Sequence, residues 1–485
     1  MVASFLRFAT SRHLRETYNN AILNFLHRDV PLVKSKLLAI ASSLLFIMAV
    51  AFAARVAFAW DQEQKIPRDA LAVVPFAQET GNIAYALANG QGFSSPFRGN
   101  TGPTAWLPPV YPFLLSLVFR IFGSFNIPAL NAAVFLNILC STAACIPIFY
   151  IGKRLGGTSL AAISAWLWAI FPAAIMLPFE WIWDTSLSAL LAALLLWTTL
   201  LVSDSAKFRD WCAYGALWGF SLLTNAALGS LLLPFLPWAA YRSATTRHSS
   251  PHAATPQSPQ QEISQWHPRV GNAWQRPALT LAVAILCCLP WTARNYLQFH
   301  RFIPLRSNFS FELWSGNNNI FDPHTGNAMA RITLYGEVRQ YTQLGETAFM
   351  QDKWRKATLF IRTHPLLESK LLFARVISTW FGTQRPVADF LRTDFWLERT
   401  IFIVNALVFL GALIGIIVLY RRRSPYAFPL AAAPIIFPTV YYLTHTSLRY
   451  RHPLDPVLLL LTAVALTAPF RPFQPAVQPT PPSVQ

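Results

Sequence analysis

Long apolar runs alternate along the chain with short polar stretches that carry most of its charge. A basic segment, residues 1–36, precedes the first run, Leu37–Trp60. That run is long enough for a bilayer crossing, which takes about 20 residues. It is too long for a signal-peptide core and ends without a small-residue cleavage site, so it reads as an uncleaved helix. Further runs follow at Ala129–Ile151, Leu160–Pro178, Thr185–Val202, Trp211–Asn225, Leu228–Tyr241, Pro277–Thr292, Thr400–Tyr420, Ala427–Thr444 and Pro453–Pro469. Pro108–Phe122 is also apolar, but it is short and rich in proline, as a juxtamembrane or re-entrant piece would be. The pattern predicts an all-α polytopic membrane protein of about ten transmembrane helices (range about 9–13), with juxtamembrane helices outside.

Charge fixes the expected parity. Lys153/Arg154, Lys207/Arg209, Arg242/Arg247 and Arg421–Arg423 fall on one side if Pro108–Phe122 does not cross, and the positive-inside rule makes that side cytoplasmic. The expected organisation is a cytoplasmic segment 1–36, then a transmembrane region 37–292 with a first external loop 61–128 and a cytoplasmic linker 242–276. An extracytoplasmic region 293–398, C-terminal helices 399–470 and a Pro-rich tail 471–485 complete it. Both termini are expected in the cytoplasm. Within the external region, Trp354–Phe381 reads as amphipathic helices lying over the lipid, around a structural His364.

Composition agrees. Of 485 residues, 54% are hydrophobic and 12% charged, against about 25% charged in soluble domains. The net charge of +18 raises nucleic-acid binding, but the basic residues cluster at the ends of apolar runs rather than in one patch, so no nucleic-acid partner is expected. The five cysteines (Cys140, Cys145, Cys212, Cys287, Cys288) lie in apolar stretches and read as small hydrophobes. Gly152–Gly157 lacks the residue order of a phosphate-binding P-loop.

Chemistry concentrates in four stretches. The first, Pro75–Pro112, opens with Glu79 at the head of a short helical pattern (Ile83, Ala84, Leu87, Ala88) that Asn89-Gly90 stops. Asp61, Glu63 and Asp69 precede it in a more ordinary polar segment. The second, Phe179–Thr185, sets Glu180 and Asp184 beside two tryptophans at a span boundary. Interface belts explain the tryptophans; Asp184 suits either a site or a helix cap. The third is Arg449-Tyr-Arg451-His452-Pro453, heading the last span. Guanidinia near lipid suit phosphate oxygens. Two residues apart, both arginines face one ligand only on extended or unwound chain, which Pro453 and Pro456 favour. The fourth runs from Pro290-Trp-Thr-Ala-Arg294-Asn-Tyr296 through Arg306 to Glu312-Leu-Trp-Ser-Gly316-Asn317.

These stretches carry a resemblance. E-x3-I-A-x-x-L-A, then G-x-G-F and G-P-T-A-x-x-P-P-x-Y-P, with P-W-x-x-R-N-Y and E-L-W-x-G-N further on, resemble bacterial family 39-type membrane glycosyltransferases of the C-type (GT-C) superfamily. Protein O-mannosyltransferases and lipid A aminoarabinose transferases are relatives in that superfamily. The resemblance implies sugar transfer from a polyprenyl-phosphate donor to a lipid, glycan or protein acceptor on the extracytoplasmic face. It implies Glu79 as catalytic base, Glu180 or Asp184 in substrate binding, and Arg449, Arg451 or Arg294 on the donor phosphate. The acid pair of many members is a single acid here, so no obligatory metal is expected. A Mg²⁺ or Mn²⁺ ion shared by Glu79 and Asp184 stays open as an alternative. A lipid-linked sugar transporter or flippase would instead need charges within its spans, and a non-catalytic assembly subunit is a third reading.

Overall fold

The structure, a computed structural model, describes residues 40–66, 79–245, 274–318, 336–382 and 396–470. The basic segment 1–36, most of the linker 242–276 and the tail 471–485 lie outside the described residues, as does Asp69. The described residues form helices and no β-strand beyond one isolated bridge, Ser94 to Pro103. The all-α class is borne out.

Five helical runs among the described residues are long and apolar enough to cross a membrane: Leu44–Glu63 (α1), Ile127–Ala169, Thr185–Val202, Gln275–Phe299 and Arg399–Arg421. The chain is thus a multi-pass membrane protein, but the expected count of ten is not confirmed. The difference arises because one long run holds two expected spans and several others form short helices. Ile127–Ala169 comprises α4 (Ile127–Ala143) and α5 (Cys145–Ala169), and α5 itself breaks at Gly156 and Gly157. Gly157 has φ +76°, open to glycine at little cost. There the chain doubles back: a Cβ on Gly152 would lie 2.9 Å from the Ala161 Cα, which a continuous helix could not allow. Further on, a 3₁₀ turn at Ala226–Leu231 separates α8 (Phe208–Thr224) from α9 (Leu232–Thr245).

Val110–Phe122 (α3) is 13 residues long, about 20 Å at 1.5 Å per residue, short of a roughly 30 Å hydrocarbon core. It buries Tyr111, Leu115 and Phe119 while Leu117 and Ile121 stay exposed. An amphipathic helix of that length suits the membrane boundary better than a crossing, as the sequence suggested.

Thr185–Val202 (α7) is the central post. The most apolar window of this helix is 72% buried, against 17% for α1 and 22% for Arg399–Arg421, so the latter two form the lipid-facing rim. α7 packs on α4, α5 and α8, and on the last helix, Asp455–Thr467. One buried charge sits inside a span. Arg55 of α1 donates to the Ser141 hydroxyl at 2.8 Å and to the carbonyls of Ala51, Trp168 and Ala169. It closes the end of α5 before the chain turns into Pro172–Glu180 (α6), satisfying carbonyls a helix end leaves open.

The two ends of α7 differ. At one end Asp204 pairs with Arg154 and with Arg242, and both guanidinia lie over Tyr426. Arg421 ends its helix a few residues before Tyr426, so the basic groups of the parity argument gather there. The other end, about 27 Å away by the helix rise, begins at Asp184. The five cysteines are free thiols, none of them exposed.

Candidate functional site

The first loop is built as a clamp. Glu79–Ala88 (α2) buries Ile83 and Ala84 against the bundle, and Asn89-Gly90 ends it with Gly90 at φ +75°. Beyond it, two charged side chains pin the loop. Arg294, near the end of Gln275–Phe299 (α10), donates to the carbonyls of Phe93 and Thr104, each at 2.7 Å. Glu346, at the head of Glu346–Thr363, accepts from the Thr104 hydroxyl, from the Ala105 N–H at 2.8 Å and from the Tyr341 hydroxyl at 2.7 Å. The G-P-T-A motif therefore meets its partners in the external region, about 190 and 240 residues on. Arg294 does not reach the acid cluster below; its donors hold backbone.

The E-L-W-S-G-N stretch ends the helix Phe309–Gly316 (α11). A Cβ on Gly316 would stand 1.7 Å from the Thr444 carbonyl oxygen, so only glycine permits this approach. It brings Glu312 beside the segment Thr444–Ser447. Buried Arg375 sews the junction, donating to the carbonyls of Gly316 and Tyr442 (3.0 Å) and to Asn317 Oδ1 at 2.8 Å.

On this scaffold the site assembles around Arg449. Its guanidinium carbon lies 4.3 Å from the ring centre of Trp181 and 4.5 Å from that of Trp183, so the two tryptophans contact the cation directly. Arg449 Nη2 donates to the Tyr450 hydroxyl at 3.0 Å. Nη1 is buried and, among the described residues, has no hydrogen-bond partner. An orphaned guanidinium donor is costly unless something binds it.

Glu79 is half-buried. Burial pushes its carboxyl above the ordinary range, Glu312 adds to that, and the nearby Arg449 and Arg306 charges oppose it. Burial likewise raises Asp184, against the Ser188 hydroxyl at 2.7 Å and the same two arginines. Asp184 occupies the cap position of α7 without capping any backbone N–H; Ser188, held in turn by Asn225, takes its carboxylate instead. Arg306 and Asn308 bind Glu312, at 3.2 and 2.7 Å. Behind them His445 faces Glu312 at 3.4 Å and Tyr450 at 3.1 Å.

The structure thus brings Glu79, Asp184 and Arg449 together and separates the other candidates. Glu180 is exposed, on the rim of a mostly apolar cleft between α6 and Trp396–Arg421 that Met176, Leu177, Val404 and Leu448 also line. Arg451 is buried with its donors engaged: Asp455 at 3.0 Å, the Trp380 carbonyl at 2.7 Å and Asn405 at 2.6 Å. The expectation of an extended stretch fails, because Leu448–Arg451 is one helical turn. Positions two apart on a helix diverge by about 200°, so Arg449 faces the acids and Arg451 the core. Asp61 forms an exposed ion pair with Lys65, and Glu63 accepts from Asn131.

Sequence reasoning missed His445 and Tyr441, which carry no motif. It noted Arg306 and Glu312 without assigning them a role, and took Trp181 and Trp183 for interface anchors. Among the described residues no three His, Cys, Asp or Glu side chains converge to hold a metal ion. Hard cations want several oxygen ligands; here the Arg449 and Arg306 charges act on both Glu79 and Asp184.

Comparison with known proteins follows the same lines. Residues 107–255 match the family model described as dolichyl-phosphate-mannose-protein mannosyltransferase. No curated protein matches the chain. Among solved structures it is similar to the Archaeoglobus fulgidus oligosaccharyltransferase in complex with Zn and sulfate, at 16% identity and TM-score 0.50 over 88% of this chain and 49% of that one. Archaeal AglB from the same organism, with an inhibitory peptide and a dolichol-phosphate, matches at 15% identity and TM-score 0.49, over 89% and 50%. ArnT from Cupriavidus metallidurans bound to undecaprenyl phosphate matches at 14% identity and TM-score 0.37, over 88% and 78%. The chain spans about half the length of the oligosaccharyltransferases it matches. The likeness is one of fold, shared with about half of the Archaeoglobus fulgidus oligosaccharyltransferase. With the family match, it bears out the resemblance to the C-type superfamily read from the sequence.

Proposed function

We propose that the chain transfers a sugar from a polyprenyl-phosphate donor to a nucleophile of a lipid, glycan or protein acceptor. The reaction takes place at the Glu79–Asp184–Arg449 end of the bundle, on the extracytoplasmic face of a bacterial inner membrane, with both termini cytoplasmic. The observation that carries this reading is Arg449, a cation against two tryptophans whose buried Nη1 has no hydrogen-bond partner among the described residues, beside two carboxyls. That is a seat for one anionic group at a membrane boundary, and a phosphate ester on a lipid fits it.

In the reaction the acceptor O–H gives its proton to the Glu79 carboxylate as the oxygen attacks the anomeric carbon. The bond from that carbon to the phosphate oxygen breaks, and the phosphate leaves with the electron pair. Burial raises the proton affinity of Glu79, which suits a general base near neutral pH. Arg449 receives the charge growing on the phosphate. The sugar passes through an oxocarbenium-like state, with inversion expected from the family resemblance. Asp184 is the second acid of the site, set to bind substrate. No step runs through a metal.

The test is to give the purified protein a polyprenyl-phosphate sugar labelled in the sugar, in sealed vesicles with candidate acceptors. Label moving to acceptor with release of polyprenyl phosphate supports transfer. Label crossing the membrane still joined to its lipid would make the chain a transporter.

A further inference from the structure

Ring contact with Trp181 and Trp183 holds the Arg449 cation but does not by itself fix the direction of its N–H groups. The hydrogen bond from Nη2 to the Tyr450 hydroxyl, at 3.0 Å, closes that freedom and so decides where the unbound Nη1 points. Tyr450 is itself held, its ring stacked on Tyr441 at 4.8 Å and 5°. A hydroxyl that accepts from Arg449 must send its own proton elsewhere. Its other partner is His445 Nε2, at 3.1 Å.

We infer that His445 is a positioning residue for Arg449. Its neutral imidazole accepts the Tyr450 O–H, and the Tyr450 oxygen then presents a lone pair to Nη2. The role requires the tautomer protonated at Nδ1; that nitrogen faces Glu312 Oε2 at 3.4 Å, without a hydrogen bond among the described residues. Glu312 is fixed by Arg306 and Asn308. A chain of polar contacts thus runs Arg306–Glu312–His445–Tyr450–Arg449, from α11 to the phosphate seat. Burial, with the Arg449 and Arg375 charges, disfavours the imidazolium; Glu312 favours it less strongly than burial opposes it. The neutral form needed for the role is the one the surroundings support.

The inference rests on the proposed phosphate site, so its test reads binding directly. Equilibrium binding of a labelled polyprenyl phosphate lacking sugar to the purified protein is the readout. His445→Ala and Tyr450→Phe should each weaken binding about tenfold, as loss of a hydrogen bond to a charged group does. The double variant should be no weaker than either single one, because both act through one bond. His445→Gln, whose amide oxygen can still accept from Tyr450, should recover most of the affinity. In turnover, His445→Ala should raise the donor KM with a smaller change in kcat. Additive losses, or no rescue by glutamine, would overturn the positioning role. If the parent itself binds no polyprenyl phosphate, the phosphate site is wrong and the inference falls with it.

Discussion

Glu346 accepts the backbone N–H of Ala105 at 2.8 Å, across 241 positions of sequence, and takes the Thr104 hydroxyl with its other oxygen. One buried carboxylate thereby holds the first loop on the external helices. Glu346→Ala leaves the Ala105 N–H and the Thr104 and Tyr341 hydroxyls unmatched, at about 1–3 kcal/mol for each buried group left unsatisfied. We expect a lower Tm in detergent and faster proteolysis within residues 90–109. An unchanged Tm and cleavage pattern would show that the clamp contributes nothing.

Arg449 and Arg451 should separate cleanly. Arg451→Ala removes one of the two partners of buried Asp455, leaving only His452, and breaking a buried pair costs about 3–5 kcal/mol, so poor folding is the expected result. Arg449→Lys keeps a charge but loses the planar fork, so it should fold normally and bind polyprenyl phosphate at least about tenfold more weakly. Thermal unfolding and lipid titration of the two variants check both. Equal stability of the two, with equal loss of binding, would contradict the assignment.

This pair also shows how far the sequence could be read. The amphipathic start at Glu79 was legible because periodicity is local: Ile83 and Ala84 are buried as the spacing required. The reversal near Lys153–Arg154 was legible from charge. Which motif arginine faces the site was not. Arg294, Arg449 and Arg451 all sit at span ends, and they differ only in whether carbonyls and carboxylates of distant segments engage them. His445 was invisible for the same reason: it joins Glu312 from more than a hundred residues away. The span count exceeded what the structure confirms because several apolar runs form short helices, such as Leu232–Thr245 and Asp455–Thr467, and Ile127–Ala169 holds two expected spans in one run.

Burial raises Glu79 and Asp184, and the sign has two consequences. A base must be unprotonated, so kcat/KM should fall on acidification with a midpoint above the ordinary glutamate value of about 4.3. A folded-state pKa raised above the unfolded one contributes stability below the ordinary value, lost as pH rises through the raised one. Glu79→Gln should therefore raise Tm at pH 8 more than at pH 5. A Tm gain equal at both pH values would contradict the raised carboxyl.

Chelation supplies a further check. Because Arg449 and Arg306 act on the carboxyls where a cation would otherwise be needed, EDTA should leave transfer within about twofold of the untreated rate. The alternative is an ion on oxygen ligands. Loss of activity on chelation, restored by Mg²⁺ or Mn²⁺, would contradict the metal-free site.

The central claim is that Glu79 is the base of a glycosyl transfer whose leaving group is a lipid phosphate. The measurement that tests it most directly is single-turnover release of polyprenyl phosphate from a labelled donor by the parent and by Glu79→Gln, with donor binding followed in the same samples. The account predicts release slowed by about 10²–10⁴ in the variant, the range for losing a general base, with donor affinity kept. Release at the parental rate in Glu79→Gln, with donor bound, would contradict it.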